Sequence, residues 1–494
     1  MKSTTLALAA MSVSLLALGA PAAAHAETAC ADLVKTALPH TEVTKAVSEK
    51  VGDKQVCKLS VTSRPTKDSD IRLEVWIPIG EAWNGKFVQL GNGGFSGGIR
   101  TAQIKAVAAQ GYAAAGTDNG HQTPVVTSAS WALGHPEKIV DFGWRSLKET
   151  TDISKALIAA QKTKGPARSY FYGCSDGGRE ALMEAQRYPR DFDGIVAGAP
   201  ANYMSQLFGI TAAQQQALAR PGGYVGEDQR KLIQKSVLAQ CGGEAFVRDP
   251  AACHFDPGKL QCKAGQSDGC LTAPQVASAR ALYDGRRDPR TGKVGFPGFS
   301  PGSEAEANSW NAWITGPTQD KNANAAGYQF SSNAFKYFAF QDPTFDFLKM
   351  DLGAQFDRAA AKMGPMIDAP DPDLSAFKKR GGKLLQYHGW NDPAIPARSS
   401  IRYYEDVGRT MGRTDDFYRL YLVPGMLHCG GGPGPGTVDW LATLDRWVGE
   451  KAAPGELTAT SAGGASQKLC PYPAVVRSDG KGGWSCSRMA KAGR

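Results

Sequence analysis

Acyl transfer at neutral pH needs a nucleophile activated by a neighbouring base, a carboxylate that orients the base, and donors for the oxyanion. Each of these residue types stands at a telling position in the chain. Gly173-Cys174-Ser175-Asp176-Gly177 satisfies G-x-S-x-G, between an apolar run that predicts a strand and a stretch that predicts a helix, which is the context the motif requires. At such a turn Gly173 and Gly177 avoid collisions with the strand and helix, and Ser175 meets the positive end of the helix dipole. The bland alternative is a glycine-rich turn with an exposed serine, and short motifs recur by accident, so the partners decide.

On an α/β-hydrolase sheet the acid and then the histidine follow the serine, which leaves His254, His388 and His428 as bases. His254 lies between cysteines, and His388 ends a predicted strand beside Gly389 and Trp390, as a structural histidine does. His428 lies in Pro424-Gly425-Met426-Leu427-His428-Cys429, a loop after a predicted strand, and is the expected base. The expected acid is Asp392 in His388-Gly389-Trp390-Asn391-Asp392-Pro393, on the loop after the preceding strand. Glu405, Asp406, Asp415 and Asp416 compete from a helix and a charged turn, where solvation is the simpler reading. One oxyanion donor is expected from the N–H of Asp176 and the second from Gly93 or Gly94, in Gly91-Asn92-Gly93-Gly94-Phe95. Read blandly, that segment is only a flexible loop.

Cys174 precedes the expected nucleophile and Cys429 follows the expected base. If Ser175 and His428 share a hydrogen bond, these cysteines come within disulfide reach, roughly 4.4–6.8 Å between Cα atoms. Such a bridge would clamp base to nucleophile, or be an ordinary stabilising disulfide near the site.

The elements that must position these residues follow an alternating rhythm. Strands are predicted at 71–78, 86–90, 112–116, 168–172 and 194–197, and helices at 102–109, 147–163 and 176–188, the pattern of an α/β sheet. After Pro200 the rhythm stops. Residues 201–376 hold one good predicted helix, 214–238, a cysteine-rich stretch and many aromatics, including Trp310, Trp313, Phe330, Phe335, Tyr337, Phe338 and Phe340. The rhythm resumes with strands at 383–387 and 418–423 and helices at 398–411 and 438–448. The expected architecture is an α/β-hydrolase core, residues 27–200 and 377–494, with a large lid domain inserted at 201–376.

Lys2, the apolar run Leu6 to Leu18 and Ala24-His25-Ala26 read as a signal peptide, residues 1–26, which implies a secreted or periplasmic protein. No other apolar run reaches roughly 18 residues, so no membrane span is expected. The remaining length exceeds the usual domain of roughly 50–250 residues. The net charge is +9, but it is scattered, and with no basic stripe interleaved with aromatics there is no case for nucleic-acid binding. The ten cysteines are an even set without zinc-ligand spacing, as expected of disulfides rather than a metal site.

On these motifs the chain resembles the tannase and feruloyl esterase family, which includes the esterase acting on mono(2-hydroxyethyl) terephthalate. The resemblance runs from about Cys30 to the C-terminus. It rests on Gly91-Asn92-Gly93-Gly94-Phe95, Gly173-Cys174-Ser175-Asp176-Gly177-Gly178-Arg179, His388-Gly389-Trp390-Asn391-Asp392 and His428-Cys429. It implies a serine carboxylesterase acting on a small aromatic ester, free or carried on a plant polysaccharide or polyphenol. It also implies the pairings Cys30–Cys57, Cys174–Cys429, Cys241–Cys253, Cys262–Cys270 and Cys470–Cys486. Family lids carry an Asp-rich calcium loop between the cysteines matching Cys241 and Cys253, but here the span offers only Glu244 and Asp249 as acids. Calcium takes six to eight oxygens, so no metal or other cofactor is expected. Aromatic lid residues can stack on a planar acyl group, although any one of them, Phe335 or Trp310 for instance, is more simply core. A terephthalate monoester hydrolase, an acyltransferase, a peptidase and an inactive binding protein on the same fold stay open, as does the oligomeric state.

Overall fold

The computed structural model describes Met1, residues 27–478 and residues 484–488. The expected leader therefore lies outside the described residues apart from Met1. Strands are named in chain order: β1 Thr41–Val51, β2 Lys54–Ser63, β3 Ile71–Pro78, β4 Lys86–Leu90, β5 Ala113–Thr117, β6 Arg168–Cys174 and β7 Gly194–Gly198. A short pair, β8 Arg286–Arg287 and β9 Val294–Phe296, precedes β10 Lys383–Gly389 and β11 Tyr418–Val423. Nine of these form one sheet in the order β1-β2-β3-β5-β4-β6-β7-β10-β11. The β1–β2–β3–β5 steps are antiparallel and the rest parallel.

The parallel half is covered on both faces, so alternate side chains enter two cores. Phe87, Phe171 and Leu384 pack on one face with Leu147, Leu157 and Leu182. Their neighbours Val88, Tyr170 and Leu385 pack on the other with Ile104, Leu444 and Trp447. Every residue of β5 and β7 is buried, which is why they read as unbroken small and apolar runs. β1 escapes the sequence reading for the opposite reason, although its neighbour β2 is largely buried. β1 is an edge strand that buries only Val43 and Val51 and bears Lys45, Glu49 and Lys50, so it lacks apolar alternation and is guarded by charge.

Between β7 and β10, residues 201–376 add no strand to the large sheet. The helix expected at 214–238 is instead two helices, Met204–Leu218 and Glu227–Cys241. Pro221-Gly222-Gly223 lies between them: Pro221 cannot continue a helix, and Gly222 at φ 69° takes a left-handed conformation that glycine adopts at no steric cost. Further helices at Ala273–Asp284, Ala326–Asn333 and Ala354–Ile367 show the single-helix expectation to be too sparse. Leu218, Val225, Ile233, Val237, Trp310 and Ile314 belong to a separate small core. Met204, Phe208, Phe335, Phe338 and Phe356 join the core of the sheet instead.

Disulfides join Cys30–Cys57, Cys174–Cys429, Cys241–Cys253, Cys262–Cys270 and Cys470–Cys486, a density typical of oxidising compartments. Among the described residues no helix is long and apolar enough to cross a membrane.

Candidate active site

β6 runs to the C-terminal edge of the sheet and turns sharply into the helix Asp176–Arg187. Ser175 takes the turn at φ 68°, ψ −121°, a strained conformation for a residue with a side chain. Its N–H donates to Gly198 O at 2.9 Å. A Cβ on Gly173 would lie 2.2 Å from Gly177 O, and one on Gly177 2.7 Å from Asn92 O. Both positions therefore need glycine so that strand, helix and the 91–94 loop can meet behind the serine.

The loop is pinned through Asn92. Its N–H donates to Glu180 Oε2 at 2.8 Å, its Nδ2 to Thr117 O at 2.8 Å, and its carbonyl accepts from Gly177 N at 2.9 Å. Among the described residues the N–H groups of Gly93, Gly94 and Asp176 have no acceptor, and all three residues line the cavity that holds Ser175. That is the arrangement an oxyanion would use.

Behind these donors lie buried charges. Asp176 and Arg179 pair at 2.5 Å with at most 1 % side-chain exposure, and Arg179 also donates to the carbonyls of Phe142 and Gly143. Burial raises the Asp176 carboxyl above its usual range despite Arg179, and burial with the adjacent Asp176 pushes Glu180 up to about 7.

The other two side chains arrive from loops after β10 and β11. Asp392 Oδ2 is 2.8 Å from His428 Nδ1, and His428 Nε2 is 2.8 Å from Ser175 Oγ. Asp392 Oδ1 accepts from the N–H groups of Ala394 and Ile395, at 2.8 and 2.9 Å. Burial opposes ionisation of Asp392, but the His428 and His388 imidazoles outweigh it and hold the carboxyl well below the usual range. Asn391 ties the two loops together, with its N–H on Met426 O and its Oδ1 accepting from Gly425 N. Cys174 and Cys429 are bridged with Cα atoms 6.0 Å apart, covalently joining the nucleophile turn to the histidine loop.

The rejected candidates do not reach Ser175: His388 lies behind Asp392, and the others are remote from the serine. His388 is fully buried, with Nδ1 on Ser400 Oγ at 2.7 Å and Nε2 3.0 Å from Ile395 O and 3.2 Å from Asp392 Oδ2. His254 is exposed. Glu405 and Asp406 accept from Tyr472 and Tyr203, while Asp415 and Asp416 pair with Arg413 and Lys378.

Over Ser175 opens a cavity of about 530 Å³, in the usual range for small-molecule sites. Phe208, Trp313 and Phe330 line it, and the Trp313 ring meets the His428 ring edge to face at 5.0 Å. Trp310 and Phe335 are fully buried core instead. Sequence reasoning missed Phe208, Gln214, Gln215 and Ser331 in this wall, because only the packing of two separate helices brings them together there. Arg179 and Glu180 carried a usable signal: two charges on the predicted helix directly after the nucleophile.

Between Cys241 and Cys253, Glu244 is exposed and Asp249 Oδ1 accepts from Ala252 N at 3.3 Å. Among the described residues no group of three or more His, Cys, Asp or Glu side chains could hold a metal. These residues do not fit calcium.

Comparison with known proteins places the chain in a family. The family model for tannase and feruloyl esterase matches residues 56–491. An uncharacterized esterase of Xanthomonas campestris pv. campestris is 35% identical, over 91% of this chain and 88% of its own. A protein named "Probable feruloyl esterase" from Arthroderma benhamiae is 32% identical, over 86% and 83%. The crystal structure of feruloyl esterase B from Aspergillus oryzae superposes with a TM-score of 0.83 at 26% identity, covering 93% of this chain and 99% of its own. With matches spanning nearly the whole of both partners and the fold in common, the chain belongs to the tannase and feruloyl esterase family, a family of carboxylic ester hydrolases.

Proposed function

We propose that the protein is an exported serine esterase that hydrolyses esters of phenolic acids through Ser175, His428 and Asp392. The observation that carries this reading is the unbroken contact from Asp392 Oδ2 through His428 to Ser175 Oγ, both links 2.8 Å, at the floor of an aromatic-lined cavity.

In the first half-reaction Ser175 Oγ bonds to the ester carbonyl carbon while His428 Nε2 takes its proton. The oxyanion lies against the N–H of Asp176 and that of Gly93 or Gly94. When the ester C–O bond breaks, His428 returns the proton to the departing alcohol, leaving the acyl group on Ser175. Water then attacks with its proton passing to His428, and the acid leaves as Ser175 recovers its hydrogen. Asp392 stays ionised throughout, holds the Nδ1–H tautomer and stabilises the imidazolium. In this reading residues 201–376 form the lid that supplies the acyl-binding wall.

We also propose that no metal takes part. Elemental analysis of protein purified without chelator is expected to find no stoichiometric calcium. One tightly held calcium per chain would overturn this.

The function is tested by comparing hydrolysis of methyl ferulate, methyl gallate and mono(2-hydroxyethyl) terephthalate, with an alcohol acceptor and an amide analogue as controls. Acid release from the phenolic esters is expected. No release from any ester, or acyl transfer to the alcohol in preference to water, would overturn the reading.

A further inference from the structure

Buried side chains grip the segment that carries Gly93 and Gly94 from both ends. At one end the Asn92 N–H donates to Glu180 Oε2 at 2.8 Å. At the other, His121 Nε2 lies 3.0 Å from Phe95 O. Two flanking glycines leave room for these contacts. A Cβ on Gly91 would lie 2.7 Å from Glu180 Oε2, and one on Gly97 2.6 Å from His121 O.

The two grips share a support. Asn119 Nδ2 donates to Glu180 Oε1 at 2.7 Å, and Asn119 stands two residues before His121 on the segment after β5, in a left-handed turn at φ 59° that asparagine tolerates. The His121 ring stacks on Trp131 with centroids 3.8 Å apart. Burial holds the imidazole down to about 4, so near neutral pH it carries a single N–H. Nδ1 is 3.4 Å from Asn119 O, and the shorter contact at Nε2 assigns the hydrogen there, donating to Phe95 O. Glu180, Asn119 and His121 are each at most 1 % exposed and none of them lines the cavity, so contact with substrate does not account for them.

An oxyanion donor is effective when its direction is fixed before the charge develops. Glycine has the freest backbone of any residue, so the direction of the Gly93 and Gly94 N–H groups has to be imposed by their surroundings. Glu180 also lies one turn along the helix that opens with Asp176, so its carboxyl sets the position of the loop donor relative to the helix donor.

We propose that Glu180, Asn119 and His121 are positioning residues for the oxyanion hole, holding residues 92–95 so that the N–H of Gly93 or Gly94 converges with that of Asp176. That these N–H groups meet an oxyanion rests on the esterase reading above.

The test measures the rate at which a fluorophosphonate modifies Ser175, a reaction that calls on the oxyanion donors and needs no turnover, alongside kcat and KM for methyl ferulate. Glu180→Ala is expected to lower both the modification rate and kcat by about 100-fold, with KM within about twofold. Glu180→Gln, which keeps an acceptor for the Asn92 N–H, is expected to regain about tenfold of that loss. His121→Phe keeps a ring to stack on Trp131 but has no N–H, and is expected to lower both rates by about tenfold. Should Glu180→Ala fail to fold, Glu180→Gln and His121→Phe still decide the matter. Losses that appear only in KM, or modification by these two variants as fast as by the unmutated protein, would overturn the positioning. If the unmutated protein hydrolyses methyl ferulate and the variants match it, the positioning fails and the esterase reading stands. If it reacts with the probe but hydrolyses no ester, the esterase reading fails and the modification rates still judge the positioning. No reaction with either overturns both.

Discussion

The two walls of the cavity are built from different chemistry. The sheet side presents Ser175, Asp176 and His428, backed by Arg179, Glu180 and Asp392, so charges and their partners crowd behind the serine. On the opposite side, none of the lining residues between Ala201 and Ser331 is titratable. That wall is aromatic and aliphatic, with a few neutral polar groups. In the proposed reading the difference separates bond-making from selection: buried ionisable groups stand behind the reacting side chains, and a neutral wall faces the ring of the substrate.

Three variants on the sheet side test this division, in decreasing order of effect. Asp392→Asn keeps the shape but loses the charge that fixes the His428 tautomer. Initial rates should show kcat lower by about 10⁴-fold with KM little changed. Replacing Cys174 and Cys429 together by serine frees the histidine loop from the nucleophile turn. Kinetics should show a loss of about 10- to 100-fold, and denaturant unfolding a loss of about 2–5 kcal/mol.

Glu180→Gln acts on the same wall through stability. A carboxyl raised to about 7 in the fold holds its proton where the unfolded chain has released it, so stability falls as pH rises from about 4.5 to about 7. The glutamine variant lacks that contribution. From pH 5 to pH 8 its Tm should fall less than that of the unmutated protein, by about 2 °C in differential scanning calorimetry. An equal fall in both would show that Glu180 does not titrate as its burial dictates.

The sheet side is also where the sequence was informative. The bounds of β3, β4 and β11 agree with the expected ranges, because buried strands between helices leave short apolar runs with clear ends. Ser175, Asp392 and His428 were legible because each lies on a turn or loop directly after a strand, and the structure brings them into contact. The opposite wall was not legible. Gln214 and Gln215 look like any polar pair on a helix, and only the break at Pro221-Gly222-Gly223 frees that helix to pack beside the sheet. Likewise nothing local distinguishes Trp310, which is core, from Trp313, which touches His428.

In the proposed mechanism Ser175 alone carries the acyl group. A fluorophosphonate probe followed by peptide mass spectrometry tests it directly. One adduct is expected, on the peptide containing Ser175, that forms in parallel with loss of esterase activity and is absent from Ser175→Ala. Full inactivation with the adduct on another residue, or esterase activity that persists in Ser175→Ala, would contradict it.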